Sequence, residues 1–135
     1  MAFTGNFTCN SFKSGLIDGD FDFDTDTFKI ALYTNAATLN ADTAIYTTSG
    51  EVSASGYTAG GNTLTVSKGI TGGTAFITFA DTSWSAAITA RGALIYKDGG
   101  ATVCVLDFGS DKTSTTTFSV DFPAASSTDA LIRLS

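Results

Sequence analysis

The sequence contains no histidine. That removes the usual general base near neutral pH, the commonest metal ligand, and the imidazole on which most serine and cysteine nucleophiles rely. Charge is also scarce. Of 135 residues 15% are charged, against about a quarter in an ordinary soluble domain. Basic residues number 7 and acidic residues 13, for a net charge of −6. Nucleic-acid and anionic-membrane partners need clustered Lys and Arg, and the two arginines, Arg91 and Arg133, lie far apart in sequence. No apolar run is long enough for a transmembrane helix. Met1 to Asn10 lack the basic and apolar regions of a secretory signal. The two cysteines, Cys9 and Cys104, have no metal-site spacing. Cys104 sits in the apolar run Thr102 to Phe108 and reads as a buried free thiol. A Cys9–Cys104 disulfide is disfavoured, because an unsecreted chain folds in a reducing compartment.

What is present is a globular composition, with 43% hydrophobic and 12% aromatic residues. The length suits one domain that buries roughly two thirds of its unfolded surface. Its polar surface must come mainly from Thr, Ser, Asn and Gly. One short helix is expected over Thr8 to Leu16, with Phe12 and Leu16 on one face. Thr8 or Asn10 would cap it, and Gly15 and Gly19 keep it short.

After Phe21 the pattern is of strands. Phe28 to Tyr33 alternates with period two, and a second strand is expected over Thr43 to Thr48. Glu51 to Gly61 reads as a loop or bulged edge. Further strands are expected at Asn62 to Ser67, Thr74 to Ala80, Trp84 to Thr89, Ala93 to Tyr96, Thr102 to Phe108, Thr116 to Phe122 and Ala130 to Leu134. Pro123 stops the penultimate one, since proline donates nothing to a ladder. The expected fold is all-β: an antiparallel β-sandwich of jelly-roll or immunoglobulin-like topology, with an arm and short helix over 1–20 and the sandwich over 21–135.

Asp18, Asp20, Asp22, Asp24 and Asp26 alternate along one stretch. On an extended strand they would share one side at spacings of about 6.5–7 Å. Ca²⁺ would relieve their repulsion. An EF-hand register fails, because Phe23 stands where glycine is needed and Lys29 where glutamate is needed. A solvated acidic edge that resists aggregation is the favoured reading, with these five residues as weak metal candidates. Glu51 is the sole glutamate, and nothing pairs it with a second acid for glycosidase chemistry. Gly56, Gly60 and Gly61 lack the lysine and helix of a phosphate loop. Trp84 with Tyr33, Tyr46, Tyr57 and Tyr96 could make a sugar-stacking platform, although such aromatics more often fill a core.

Three stretches stand together: Asp26-Thr27-Phe28-Lys29-Ile30-Ala31-Leu32-Tyr33-Thr34, then Ser55-Gly56-Tyr57-Thr58-Ala59-Gly60-Gly61, then Ala93-Leu94-Ile95-Tyr96-Lys97 ahead of Leu106-Asp107-Phe108-Gly109. With Ser11-Phe12-Lys13 and Leu16, this order resembles a family of small virion structural proteins of tailed bacteriophages. The resemblance spans nearly the whole chain and departs at the acidic Gly19 to Thr25. It implies a structural role and brings no catalytic motif, so neither enzyme activity nor a cofactor is expected. It implies synthesis in the bacterial cytoplasm and residence in the virion.

Independently, an acidic protein is repelled by packaged DNA and suits the outer capsid surface. The leading expectation is a capsid decoration (cement) protein, a homotrimer bound to the major capsid protein. Phe3, Phe7, Phe12 and Leu16 would be interface anchors, although the two N-terminal phenylalanines could equally cover the chain's own core. The alternatives are a neck, tail or fibre-base protein and a lectin-like module.

Overall fold

Phe28, Ile30 and Leu32 alternate with Lys29, Ala31 and Tyr33, and only an extended strand sends those two sets to opposite sides. In the computed structural model, which describes residues 3–135, these residues form one strand at the heart of the protein. In chain order the elements are β1 (Phe7–Thr8), α1 (Asn10–Asp18), β2 (Phe28–Tyr33), β3 (Asn62–Leu64), β4 (Val66–Thr71), β5 (Thr74–Phe79), β6 (Thr82–Trp84), β7 (Thr89–Lys97), β8 (Thr102–Thr113), β9 (Phe118–Val120) and β10 (Ile132–Leu134). The structure is mostly β, with one short helix.

All pairings are antiparallel. A five-stranded sheet has the order β1-β8-β7-β2-β3, a three-stranded sheet β10-β5-β4, and a two-stranded sheet β6-β9. The large sheet is buried on both faces. Phe28, Ile30 and Leu32 with Ala93 and Ile95 belong to a first apolar cluster, which also takes in Phe79, Trp84, Phe118 and Val120 of the smaller sheets. Ala31 and Tyr33 with Leu94 and Tyr96 belong to a second cluster. The connection from Thr34 to Gly61 covers it with Ala37, Leu39 and Tyr46. Each fully buried large side chain contributes about 1.5–3 kcal/mol by leaving water.

Several expected elements are shifted. Thr43 to Thr48 is not a strand; it makes one bridge, Ile45 to Ala101, while Tyr46 packs against the second cluster. Asn62 to Ser67 is broken at Thr65, because β3 pairs with β2 and β4 leaves for β5. Trp84 ends a strand, and Thr89 begins the next after a bend. The helix runs two residues later than expected and is preceded by Cys9, whose side chain makes no cap. Gly19, with φ +79°, ends the helix in the left-handed conformation that glycine adopts without strain.

The arm is not a separate packing unit, and its first two residues lie outside those described. Phe3 packs in the second cluster and Phe12 in the first, so the expected boundary at residue 20 divides neither core. The register of β8 on β7 slips between Ile95 and Tyr96, leaving Val103 as an extra residue. Val103 and Cys104 therefore both join the first cluster, whereas Cys9 joins the second. The thiols are free, and burial raises the pKa of each.

Candidate functional site

The acidic stretch does not form the expected edge strand. Phe21 and Phe23 turn inward and pack against Phe12 and Phe28, with Phe23 stacked on Phe28 at 4.4 Å. Burying those rings bends the chain into a turn. Asp22 N–H donates to Asp26 Oδ2 and Asp24 N–H to Asp22 Oδ1, each at 2.8 Å. The bond from Asp24 N–H, and after it a hydrogen bond from the Thr25 side chain, hold the Asp22 carboxyl below its ordinary range. Lys68 pairs with Asp24 at 2.8 Å and Lys97 with Asp26 at 3.6 Å. Among the described residues no three acidic or cysteine side chains converge as a metal cluster would require, so Asp18, Asp20, Asp22, Asp24 and Asp26 are not assembled as ligands.

The four expected anchors divide. Phe3 and Phe12 are each 1% exposed, which corrects their assignment as interface residues: the chain spends them on its own cores. Phe3 fits because Gly92 has no side chain; a Cβ there would lie 2.4 Å from the Phe3 ring and 2.5 Å from the Leu106 carbonyl oxygen. Phe7 and Leu16 are half-buried and keep some free surface. The sugar platform is likewise not a surface feature. Trp84, Tyr33, Tyr57 and Tyr96 are buried, and only Tyr46 is half-exposed.

Those tyrosines converge on Glu51. Tyr46 donates its hydroxyl hydrogen to Glu51 Oε1 at 2.5 Å, and Tyr57 donates to Oε2 at 2.6 Å. Gly60 N–H adds a third bond to Oε2 at 2.8 Å. Tyr57 Oη also accepts from Leu32 N–H at 2.9 Å, and Tyr96 donates to the Gly60 carbonyl at 2.6 Å. The Tyr46 and Tyr96 rings stack at 4.6 Å. Tyr33 donates to the Thr47 carbonyl at 2.6 Å. With three donors already on its oxygens, the carboxylate acts as a clasp that fastens the 34–61 connection over the sheet. Sequence reasoning saw Glu51 as one acid lacking a partner. Its signal was instead Tyr46 and Tyr57 on either side.

Burial, then the Glu51 charge, pushes Tyr96 up to about 12. Burial is also the leading cause for Tyr33, Tyr46 and Tyr57, followed by Glu51 through its charge at Tyr33 and its hydrogen bond at the other two. All four folded pKa values lie above the unfolded value of about 10. The stability they contribute is present below pH 10 and lost as pH rises through the folded values. In an absorbance titration we expect no tyrosinate signal near pH 10 in the folded protein, and its appearance only with alkaline unfolding above about pH 11. One tyrosine ionising normally in the folded state would show that the clasp is open in solution.

The second ion pair of note joins strands. Arg91 Nε donates to Asp107 Oδ1 at 3.1 Å, and both side chains are largely covered. Gly109 N–H and then Arg91 hold the Asp107 carboxyl below its ordinary range. No helix among the described residues is long and apolar enough to cross a membrane. Among the described residues, the large hydrophobic side chains left exposed are Ile17, Ile45, Ile70 and Leu134. Comparison with protein-family models, with curated proteins and with solved structures found no match to this chain.

Proposed function

We propose that the protein is a virion structural component of a tailed bacteriophage, and specifically a decoration protein that cements the assembled head from outside. In this reading its fold is a β-sandwich of jelly-roll kind, in which the two smaller sheets face the first side of the large one. The supporting observation is where the residues of the resemblance meet. The first stretch is β2, the third lies in β7, and the two pair along their length. The second stretch is bound between them: Tyr57 to Leu32 N–H, Gly60 to Tyr96, and Gly61 against Ile30. The three stretches are thus one structural unit rather than a scatter of similar residues.

The composition supports an outer position, and the mechanism would be binding of the assembled state. A ligand that binds only the assembled shell stabilises it by mass action. The protein acts by contact, as a homo-oligomer on the major capsid protein. The test is the number of copies bound per purified head, together with the temperature at which heads open. Binding on the order of hundreds of copies, with later opening, is expected for a symmetric shell. About a dozen copies would move the protein to the neck or tail. No binding to heads would end the capsid reading.

A further inference from the structure

Two strand edges on one side of the molecule end without a neighbour. β1 closes the large sheet and pairs with β8 alone, and β10 closes the three-stranded sheet and pairs with β5 alone. In an antiparallel pair, successive residues alternate between bonding across the ladder and pointing away from it. Cys9 N–H bonds to the Val103 carbonyl, so the adjacent pair, Thr8 with Cys104, is a non-bonded one. The Thr8 N–H and C=O therefore aim out of the sheet. The same counting applies to β10. Ala80 N–H bonds to the Thr65 carbonyl, which fixes Phe76 as a residue that bonds to β4. Phe76 has nothing left for Arg133, its partner in register, so the Arg133 N–H and C=O also aim outward.

These two edges flank an open groove. One hollow of about 180 Å³ lies among β1, β8 and β10, and a second of about 410 Å³ continues it past Thr74 and Arg133. Thr8, Leu131 and Ile132 line both, so the two form one groove. Its apolar lining includes Phe7, Leu106, Leu131 and Ile132. Each of the four is half-buried and keeps surface that a further side chain would cover. No Asp or Glu lines either hollow, and Arg133 has no ion-pair partner among the described residues.

We propose that this groove takes an extended strand from another protein, inserted between β1 and β10 so that one backbone pairs with both sheets. Unpaired N–H and C=O groups on two sides fit a strand, whose backbone carries matching groups on both of its edges. The apolar lining fits a strand with apolar side chains at alternate positions. Arg133, on a chain of net charge −6, favours a carboxylate on the incoming strand. A second copy of this chain has no strand to lend. Its N-terminal arm is held by Phe3, 1% exposed in its own slot, and its β10 by β5. Its other strands are all laid down in its own sheets. Edge-to-edge contact between copies would satisfy one edge and leave the other open. The donor is thus a different chain, which in the reading above is the major capsid protein. That identity rests on the capsid reading; the fit of the groove to a strand does not.

The experiment is amide hydrogen exchange on the intact protein, read at Thr8 and Arg133. Two probes are added in turn: purified heads, and a short synthetic peptide of alternating valine and threonine with one central aspartate. Slower exchange at both edges together is expected. Arg133→Pro removes the outward N–H and leaves the ladder to β5 its bonds, whereas Arg133→Ala removes the charge alone. The proline variant should therefore bind about tenfold more weakly than the alanine variant, the worth of one backbone hydrogen bond. If proline unfolds β10, the exchange result decides alone. Heads that bind while one edge or neither is protected would overturn the proposal. So would both probes leaving the two edges unchanged. If heads do not bind but the peptide protects both edges, the capsid reading falls and this one stands.

Discussion

Replacing Gly61 by alanine is expected to cost at least about 3 kcal/mol of stability, and to leave little folded protein if the wild type is only marginally stable. Gly61 has φ +78°, and a Cβ there would sit 1.7 Å from the Ile30 carbonyl oxygen and 2.8 Å from the Ala31 Cα. Those are backbone atoms of the central strand, so no side chain can swing aside. Moving them would break the pairing of β2 with β3 at Ile30 and Asn62. The internal control is Gly72→Ala. Gly72 also has positive φ, +58°, but open space around it. It should lose only the conformational term, about 1–2 kcal/mol. Denaturant melts of the two variants separate these contributions. Equal losses would mean that the close approach at Gly61 relaxes freely.

Removal of the Glu51 carboxylate is the second large effect. Glu51→Ala leaves the Tyr46 and Tyr57 hydroxyls and Gly60 N–H without their acceptor. Hydrogen bonds to a charged group are worth about 1.5–3 kcal/mol, and an unpaired buried donor adds its own desolvation cost. Tyr57 keeps its bond from Leu32 N–H, and water reaches the half-exposed Tyr46, so the losses are not fully additive. We expect about 3 kcal/mol in total, or a melting temperature lower by roughly 10 °C for a domain of this size. Glu51→Gln keeps one acceptor oxygen, and its amide can donate to a hydroxyl that turns around. It should lose about half as much. If alanine and glutamine cost the same small amount, the clasp does not hold the connection. A loss confined to alkaline pH would point instead to the tyrosines alone.

The strands were legible where one physical rule dominates. In β2, β5 and β10 apolar residues recur at every second position, and the observed register places the faces as the alternation requires. The apolar run of β8 announced burial, and a turn at Asp98-Gly99-Gly100 joins it to β7. The bulge at Val103 was hidden, because an extra residue in an all-apolar run leaves no break in pattern. The 34–61 connection was hidden for a related reason. It covers the second face of the sheet through scattered side chains, Ala37, Leu39 and Tyr46, with no period to read. Its clasp depends on a carboxylate meeting hydroxyls 5 and 6 residues away along an irregular path, which only the tertiary fold brings about. At the acidic stretch the eye went to the aspartates. The interleaved Phe21 and Phe23 decided its shape, since burying two rings outweighs keeping five carboxylates in a line.

The pairing of β1 with β8 has a consequence for how the chain comes off the ribosome. Asn6 holds Asp107, 101 residues away in sequence. The first strand of the large sheet therefore has no partner until most of the chain has been made, roughly 5–20 s later at about 5–20 residues per second. Throughout that interval Phe3 lacks Gly92 and Leu106, the floor and wall of its slot. Contacts so distant in sequence also fold slowly, because the loop must close before they yield any stabilisation. The N-terminal phenylalanines are thus among the side chains that wait longest for cover, from the start of synthesis until β8 has been made.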